Sequence, residues 1–371
     1  MNIILCPDKF KGSLTSEEVC LTLRKGILST GHECNIISHP MADGGDGSVE
    51  IIKARLDLKE VFVETVDPLG GEMKTNYFVS EDAAFIELAN ASGLILLKDY
   101  ERNPLYTSTR GTGLMIRDAL RKEYKKIYLF IGGSATNDGG IGIAQALGFD
   151  FLSENGDQLE PVGNSLDKIT TIKNNQHFDF KNMHIVVFCD VTNPMHGLDG
   201  AAHIYARQKG AKDKDIQKLD DGLKNYDRVL TKLFNKDIGT MPGMGAAGAV
   251  GASLVGVLGA ELQNGFQMLA ELSDLESNIQ NADLVITGEG KIDQTSFSGK
   301  VVGNVLSLCK KYDKPCGIVG GMIEDLKENK SHILFSKSII SRAENFNDAM
   351  TSPEKYLFEI GKEIGVLINA Q

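Results

Sequence analysis

The sequence predicts an α/β protein: a doubly wound parallel sheet whose chain is interrupted by a large insert, itself α/β. Three observations carry this. Both ends of the chain alternate short apolar runs with helical segments, the rhythm of a parallel sheet with helices on both faces. The stretch 67–281 breaks that rhythm yet keeps apolar runs of its own, so it reads as a second domain set between two halves of the first. Glycine-rich polar segments follow several of the apolar runs, at the strand ends where open α/β sheets bind ligands.

Taken in order, residues 2–6 form an apolar strand stopped by Pro7. Thr15-Ser16-Glu17-Glu18 is a capping box, with Thr15 as N-cap and Glu18 at N3, and it opens a helix to about residue 29. Residues 33–38 are a second strand, followed by PMADGGDG and a helix from about residue 48. Residues 61–66 are a third strand, closed by the turn DPLGG. Near the other end, 283–287 is a strand, 288–300 a loop, 301–312 a helix, and 316–319 a strand closed by Gly320 and Gly321. A strand at 333–336 and a helix ending near Asn369 complete the chain. The middle supplies strands at 77–79, 84–86, 127–131 and 185–189, a lysine- and aspartate-rich helix over 213–233, and a low-charge run at 241–260 that reads as a buried helix.

The expected domains are therefore 1–66 plus 282–371, discontinuous, and 67–281, inserted. Right-handed crossovers order the six outer strands 3-2-1-4-5-6. The order then reverses between the first strand and 283–287, so the loops 7–13, 288–294 and 40–47 are expected to line one crevice.

Composition narrows the function. The chain has 371 residues, 42% of them hydrophobic, enough for two full cores. A net charge of −11 with no basic run argues against a nucleic-acid partner. Six scattered cysteines without CxxC, and seven unclustered histidines, read as free thiols in a reducing compartment without a structural zinc. The N-terminus is charged too early for a signal peptide and no run suits a membrane span, so a cytoplasmic protein without a membrane partner is expected. Nothing in the sequence sets an oligomeric state.

The segment GGSATNDGG, residues 132–140, is the most informative. Its glycines permit positive φ and close approach to a ligand, and Ser134, Thr136, Asn137 and Asp138 add hydroxyls, an amide and a carboxylate. It reads either as a phosphate or hydroxy-acid site or as a tight strand-to-helix turn. Lys9 and Lys11 in PDKFKGS are point charges for phosphate or carboxylate, with Ser13 as an anion donor or a helix cap. Asp43, Gly44 and Gly45 suggest a metal or hydroxyl contact, or an acidic first turn. Asp190 follows a buried strand, where a carboxylate is costly unless paired or functional. GEGKIDQTSFSGK holds Gly288, Glu289, Gly290 and Asp293 in a glycine-containing, charged loop, with Gly299-Lys300 a phosphate contact at a helix start. The P-loop pattern and the dinucleotide fingerprint are both absent.

With these motifs in view, the chain resembles the type-1 glycerate kinases. The likeness runs through PDKFKGSLTSEE, HPMADGGDG, IGGSATNDGG, CDVTNPMHGLDGAA, RQKGA, PGMGAAGAVGA and ADLVITGEGKIDQTSFSGK, and spans nearly the whole chain. Lys9 stands where many relatives carry serine, and Ala249 where relatives carry glycine. The resemblance implies a Rossmann-like domain split by an insert, and ATP- and Mg²⁺-dependent phosphorylation of D-glycerate, with 2-phosphoglycerate as the usual bacterial product. Phosphoryl transfer needs positioning, charge neutralisation and a base. On that footing Asp190, Asp293 and Lys11 are expected to be catalytic, with Asp190 or Asp293 as base or Mg²⁺ ligand. Lys9, Ser13, Asp43, Gly44, Gly45, Ser134, Thr136, Asn137 and Asp138 are expected to meet the substrate. Gly288, Glu289, Gly290, Gly299 and Lys300 are expected to meet ATP. Another small hydroxy acid as substrate, 3-phosphoglycerate as product, or a non-catalytic binder of a phosphorylated acid are the alternatives.

Overall fold

A computed structural model describes residues 1–31, 33–42, 48–175, 183–189, 191–235, 237–297, 299–324 and 333–369. Among them the strands run in chain order as β1 (Asn2–Leu5), β2 (Asn35–Ser38), β3 (Lys59–Val66), β4 (Glu72–Val79), β5 (Ala83–Glu87), β6 (Lys126–Phe130), β7 (Phe149–Leu152), β8 (Thr171–Asn174), β9 (His184–Phe188), β10 (Glu261–Gln263), β11 (Leu284–Ile292), β12 (Cys316–Ile323) and β13 (Ile333–Ser338). The chain divides into two compact units, one of residues 1–43, 50–55 and 265–371, the other of 44–49 and 56–264.

The first unit holds a five-stranded sheet ordered β13-β12-β11-β1-β2, every pairing parallel. Strand alternation sends residues to both faces. On one face Ile3, Leu5, Leu284, Ile286 and Val319 pack with Val19, Leu23 and Ile27 of the helix Ser16–Leu28 and Leu357, Ile360 and Ile364 of the helix Pro353–Asn369. On the other, Ile292 and Ile318 meet Val302 of the helix Val301–Lys311. The sheet is thus doubly wound. The capping box forms as its residues require: the Thr15 N–H donates to Glu18 Oε2 at 2.8 Å, and the Glu18 N–H to Thr15 Oγ1 at 3.2 Å.

The expected order 3-2-1-4-5-6 is corrected. The third strand does not join this sheet: β3 pairs antiparallel with β4 in the second unit, from Lys59↔Val79 to Val66↔Glu72. The turn DPLGG is the cause. Asp67 Oδ1 accepts from the N–H groups of Leu69 and Gly71 at 2.8 and 2.9 Å, folding the chain straight back into a hairpin. The reversal of strand order nevertheless falls between β1 and β11, where it was expected.

The second unit holds a six-stranded sheet ordered β10-β9-β6-β5-β4-β3, parallel from β5 to β10 and antiparallel from β5 to β3, with a separate β7-β8 hairpin. Leu219, Leu223, Tyr226 and Leu230 of the helix Asp213–Phe234 enter its core. The run 241–260 is helical only in part, after a glycine-containing turn over 241–245. It breaks into Ala246–Ala249 and Gly251–Gly256, with Ala247, Gly248 and Ala249 at φ of 52°, 74° and 63°. No helix among the described residues is long and apolar enough to cross a membrane. All six cysteines are free thiols.

Candidate active site

The loop after β6 is built by its glycines. Gly133, Gly139 and Gly140 lie at φ of 71°, 62° and 76°, a region that side chains with a Cβ avoid. This winding turns four polar side chains inward. Ser134 is 8% exposed, and Thr136, Asn137 and Asp138 are each 0% exposed.

Asp138 is a clamp. Its carboxylate accepts from the Thr109 N–H at 2.8 Å, Thr109 Oγ1 at 2.7 Å, the Gly140 N–H at 3.1 Å and the Gly142 N–H at 3.3 Å. Those donors tie the loop to the start of the helix Arg110–Arg121. Burial pushes the Asp138 carboxyl above the ordinary carboxylate range, and the same four donors oppose it. Asp138, expected to meet the substrate, holds the loop through three bonds to Oδ2 and one to Oδ1.

Lys209 meets this loop from the chain segment that follows the helix Ala201–Tyr205. It is 2% exposed, and its Nζ donates to Ser134 Oγ and to the Thr136 carbonyl, both at 2.7 Å. Burial pushes its ammonium down to about 7, against the opposing attraction of Asp138. Sequence reasoning gave Lys209 no role, although it lies in the RQKGA motif. No spacing rule links it to residues more than seventy positions earlier.

Asn137 differs from its neighbours. Neither its Oδ1 nor its Nδ2 has a hydrogen-bond partner among the described residues, and nor does Thr136 Oγ1. The backbone beneath it is tightly held. A Cβ at Gly248 would lie 2.1 Å from the Thr136 carbonyl oxygen and 2.5 Å from Asn137 Cα. The Gly139 N–H donates to the Gly248 carbonyl at 3.1 Å, and Ser253 Oγ donates to the Gly139 carbonyl at 2.7 Å. The broken helical path at 247–249 thus exists to interlock with 136–139.

In the first unit the loop after β1 lies beside β11, where the strand order reverses. The Asp8 N–H donates to the Gly288 carbonyl at 2.8 Å. Lys11 is exposed and Lys9 half-buried. Ser13 closes a turn: its N–H and its hydroxyl both donate to the Phe10 carbonyl, at 2.8 and 3.0 Å. Asp8, which the sequence reading passed over, is buried at this strand end, and its Oδ1 accepts from the Lys9 N–H at 2.6 Å.

Gly288, Glu289 and Gly290 are also corrected. They are not a loop but the continuation of β11, paired with β12 through Gly288↔Val319 and Glu289↔Gly320. A Cβ at Gly288 would lie 1.8 Å from the Val319 carbonyl, and one at Gly290 3.0 Å from the Lys11 nitrogen. Close backbone packing accounts for the lack of a Cβ at Gly288, and at Gly290 the neighbouring Lys11 backbone leaves little room for one. Asp293 Oδ1 accepts from the Thr295 hydroxyl at 2.6 Å and N–H at 2.9 Å, and Lys291 Nζ lies 3.4 Å from Oδ2. The Thr295 hydroxyl and N–H, with Lys291, hold the Asp293 carboxyl below the ordinary range. Gly299, at φ 85°, precedes Lys300, the N-cap of the helix Val301–Lys311. Asp43, Gly44, Gly45 and Asp190 lie outside the described residues.

Among the described residues no three His, Cys, Asp or Glu side chains come together as ligands, and Asp293 already faces an ammonium.

Comparison with known proteins decides the family. The sequence model of the glycerate kinase family matches residues 3–369. The chain belongs to the glycerate kinase family. It is 41% identical over 330 residues to the glycerate 2-kinase of Escherichia coli (strain K12), covering 88% of this chain and 87% of that protein. It is 36% identical over 372 residues to the glycerate kinase of Halalkalibacterium halodurans, covering 98% and 97%. A crystal structure described as a glycerate kinase 2 from Salmonella typhimurium LT2 superposes with a TM-score of 0.83 at 34% identity, over 100% of this chain and 98% of that one. The enzyme is a kinase of a small molecule, and its α/β architecture is that of its family.

Proposed function

We propose that the enzyme transfers the γ-phosphoryl group of ATP to the 2-hydroxyl of D-glycerate. The observation that carries this reading is Asn137: a fully buried amide whose donor and acceptor both lack partners among the described residues. Leaving such groups unpaired costs about 1–3 kcal/mol each. A hydroxy acid recovers that cost, since its carboxylate accepts from the amide NH₂ and its hydroxyl donates to the amide oxygen. Thr136 Oγ1 is a second such group. The glycerate 2-kinase among the relatives favours the 2-position.

In the transfer, a bond forms between the substrate oxygen and the γ-phosphorus while the bond to the bridging oxygen of ADP breaks, and the hydroxyl proton passes to a base. Asp293 is a poor base, since Thr295 and Lys291 stabilise its charged form. The role falls to Asp190, two positions beyond β9 in the sequence. Lys11 and Lys300 are assigned to phosphate as point charges. Mg²⁺ enters as the counter-ion of the nucleotide phosphates, and no step is assigned to it. The reading places the enzyme in a reducing, cytoplasmic compartment, in keeping with its free thiols.

Incubation with D-glycerate and MgATP, followed by ³¹P and ¹³C NMR, tests it. ADP and 2-phosphoglycerate are the expected products. Exclusive 3-phosphoglycerate overturns the regiochemistry, and no glycerate-dependent ADP release overturns the whole reading.

A further inference from the structure

On the reading that Asn137 meets the substrate, we infer that Lys209 is a positioning residue for glycerate. By gripping the Thr136 carbonyl and the Ser134 hydroxyl, it fixes the peptide that carries Asn137 and so aims the amide.

Lys209 is an expensive residue where it stands. Its ammonium is buried, yet it touches no carboxylate among the described residues: its partners are the Ser134 hydroxyl and the Thr136 carbonyl. Asp138, the nearest acid in the loop, spends its hydrogen bonds on Thr109, Gly140 and Gly142. A buried charge without a contacting counter-charge is retained only where an apolar side chain could not do its work. What Lys209 does here is specific. The Thr136 carbonyl belongs to the same planar peptide as the Asn137 nitrogen, so holding that oxygen sets the plane from which the Asn137 side chain departs. Gly248 closes on the same peptide, where a Cβ would lie 2.1 Å from that oxygen.

Lys209 is itself firmly placed. The Lys209 N–H donates to the Ala206 carbonyl, and the Gly210 N–H to the Arg207 carbonyl, both at 3.0 Å. Gly210, at φ 96°, presses on the Arg102 backbone, where a Cβ would lie 2.1 Å from the carbonyl oxygen. The chain that presents the ammonium is therefore pinned on both sides of it.

A double-mutant cycle with D-glycerate and MgATP tests the inference, using Asn137→Ala, Lys209→Met and the double variant. Each single variant is expected to lower kcat/KM for glycerate by about 10- to 100-fold while KM for ATP moves less than about threefold. The double variant should fall no more than about threefold below Asn137→Ala, because the lysine acts through the asparagine. Circular dichroism and thermal melting report folding. Should Lys209→Met not fold, Lys209→Ala, which also removes the donor to the Thr136 carbonyl and leaves room for a water, completes the same cycle. Multiplicative losses in the double variant, or wild-type kcat/KM in the folded Lys209 variant while Asn137→Ala is impaired, overturn the positioning role. Wild-type kinetics in Asn137→Ala overturn the substrate reading instead.

Discussion

Lys209 Nζ lies 2.7 Å from the Thr136 carbonyl oxygen, a contact that spans 73 positions of the chain and ties a buried cation to the peptide bearing Asn137. On the proposed reading it sets the order in which the loop should fail: Asn137 for binding, Lys209 for aim, Asp138 for the fold beneath both.

Asn137→Leu should separate function from stability. Leucine shares the branched shape of asparagine, with bulkier methyl groups, and removes two unpaired buried polar atoms. The variant is expected to melt at or above the wild-type temperature while losing about 100-fold or more in kcat/KM for glycerate. A loss of stability beyond the roughly 1–3 kcal/mol that overpacking by the larger side chain costs would show that the amide has a structural partner.

The two candidate acids should part company. Asp190→Asn is expected to lower kcat by about 100-fold or more, the scale of a lost general base. Asp293→Asn should lower it by less than about tenfold, since Asp293 serves the turn at Thr295. Steady-state kinetics at saturating ATP decide this, and the reverse order would return Asp293 to the chemistry.

Lys209 gives stability a pH dependence of definite sign. Burial lowers its folded value to about 7, against about 10.4 in an unfolded chain. Between these values the unfolded chain binds the extra proton, so the lysine makes stability rise with pH, by at most about 1.4 kcal/mol per pH unit. Below about 7 both states are protonated and the slope vanishes. Asp138, shifted upward by burial, works in the opposite sense in its own window and is present in both proteins. Urea unfolding at pH 7, 8 and 9 should therefore show a steeper rise in the wild type than in Lys209→Met.

Ala247→Gly should stabilise the enzyme. Ala247 is half-buried at φ 52°, where an L side chain meets its own backbone. Glycine removes that strain at little loss of packing, and a gain of up to about 1 kcal/mol is expected in denaturant titration. Loss of stability would mean that the methyl group packs more than it strains.

Local physics was legible from the residues. Thr15 and Glu18 are three positions apart, and their reciprocal cap forms as the capping-box pattern requires. The doubly wound sheet and the reversal between β1 and β11 followed from alternating elements and the hand of crossovers. The misreadings share a cause. DPLGG was legible as a turn, but a turn does not state which sheet receives the next strand, so β3 was assigned to the wrong one. Gly288 and Gly290 were legible as positions of close approach, but the approaching group is backbone.

By itself the sequence determined the fold class and the family likeness and singled out residues 132–140, because propensity, periodicity and motif act over a few neighbouring positions. Only the tertiary structure decided which members of that loop are engaged and which are available. Asp138 is engaged by Thr109, Gly140 and Gly142, Ser134 is held by Lys209, and Asn137 is buried with its amide unspent. Those roles depend on hydrogen-bond partners brought in from distant parts of the chain, and on burial, which raises the cost of every polar group left without one.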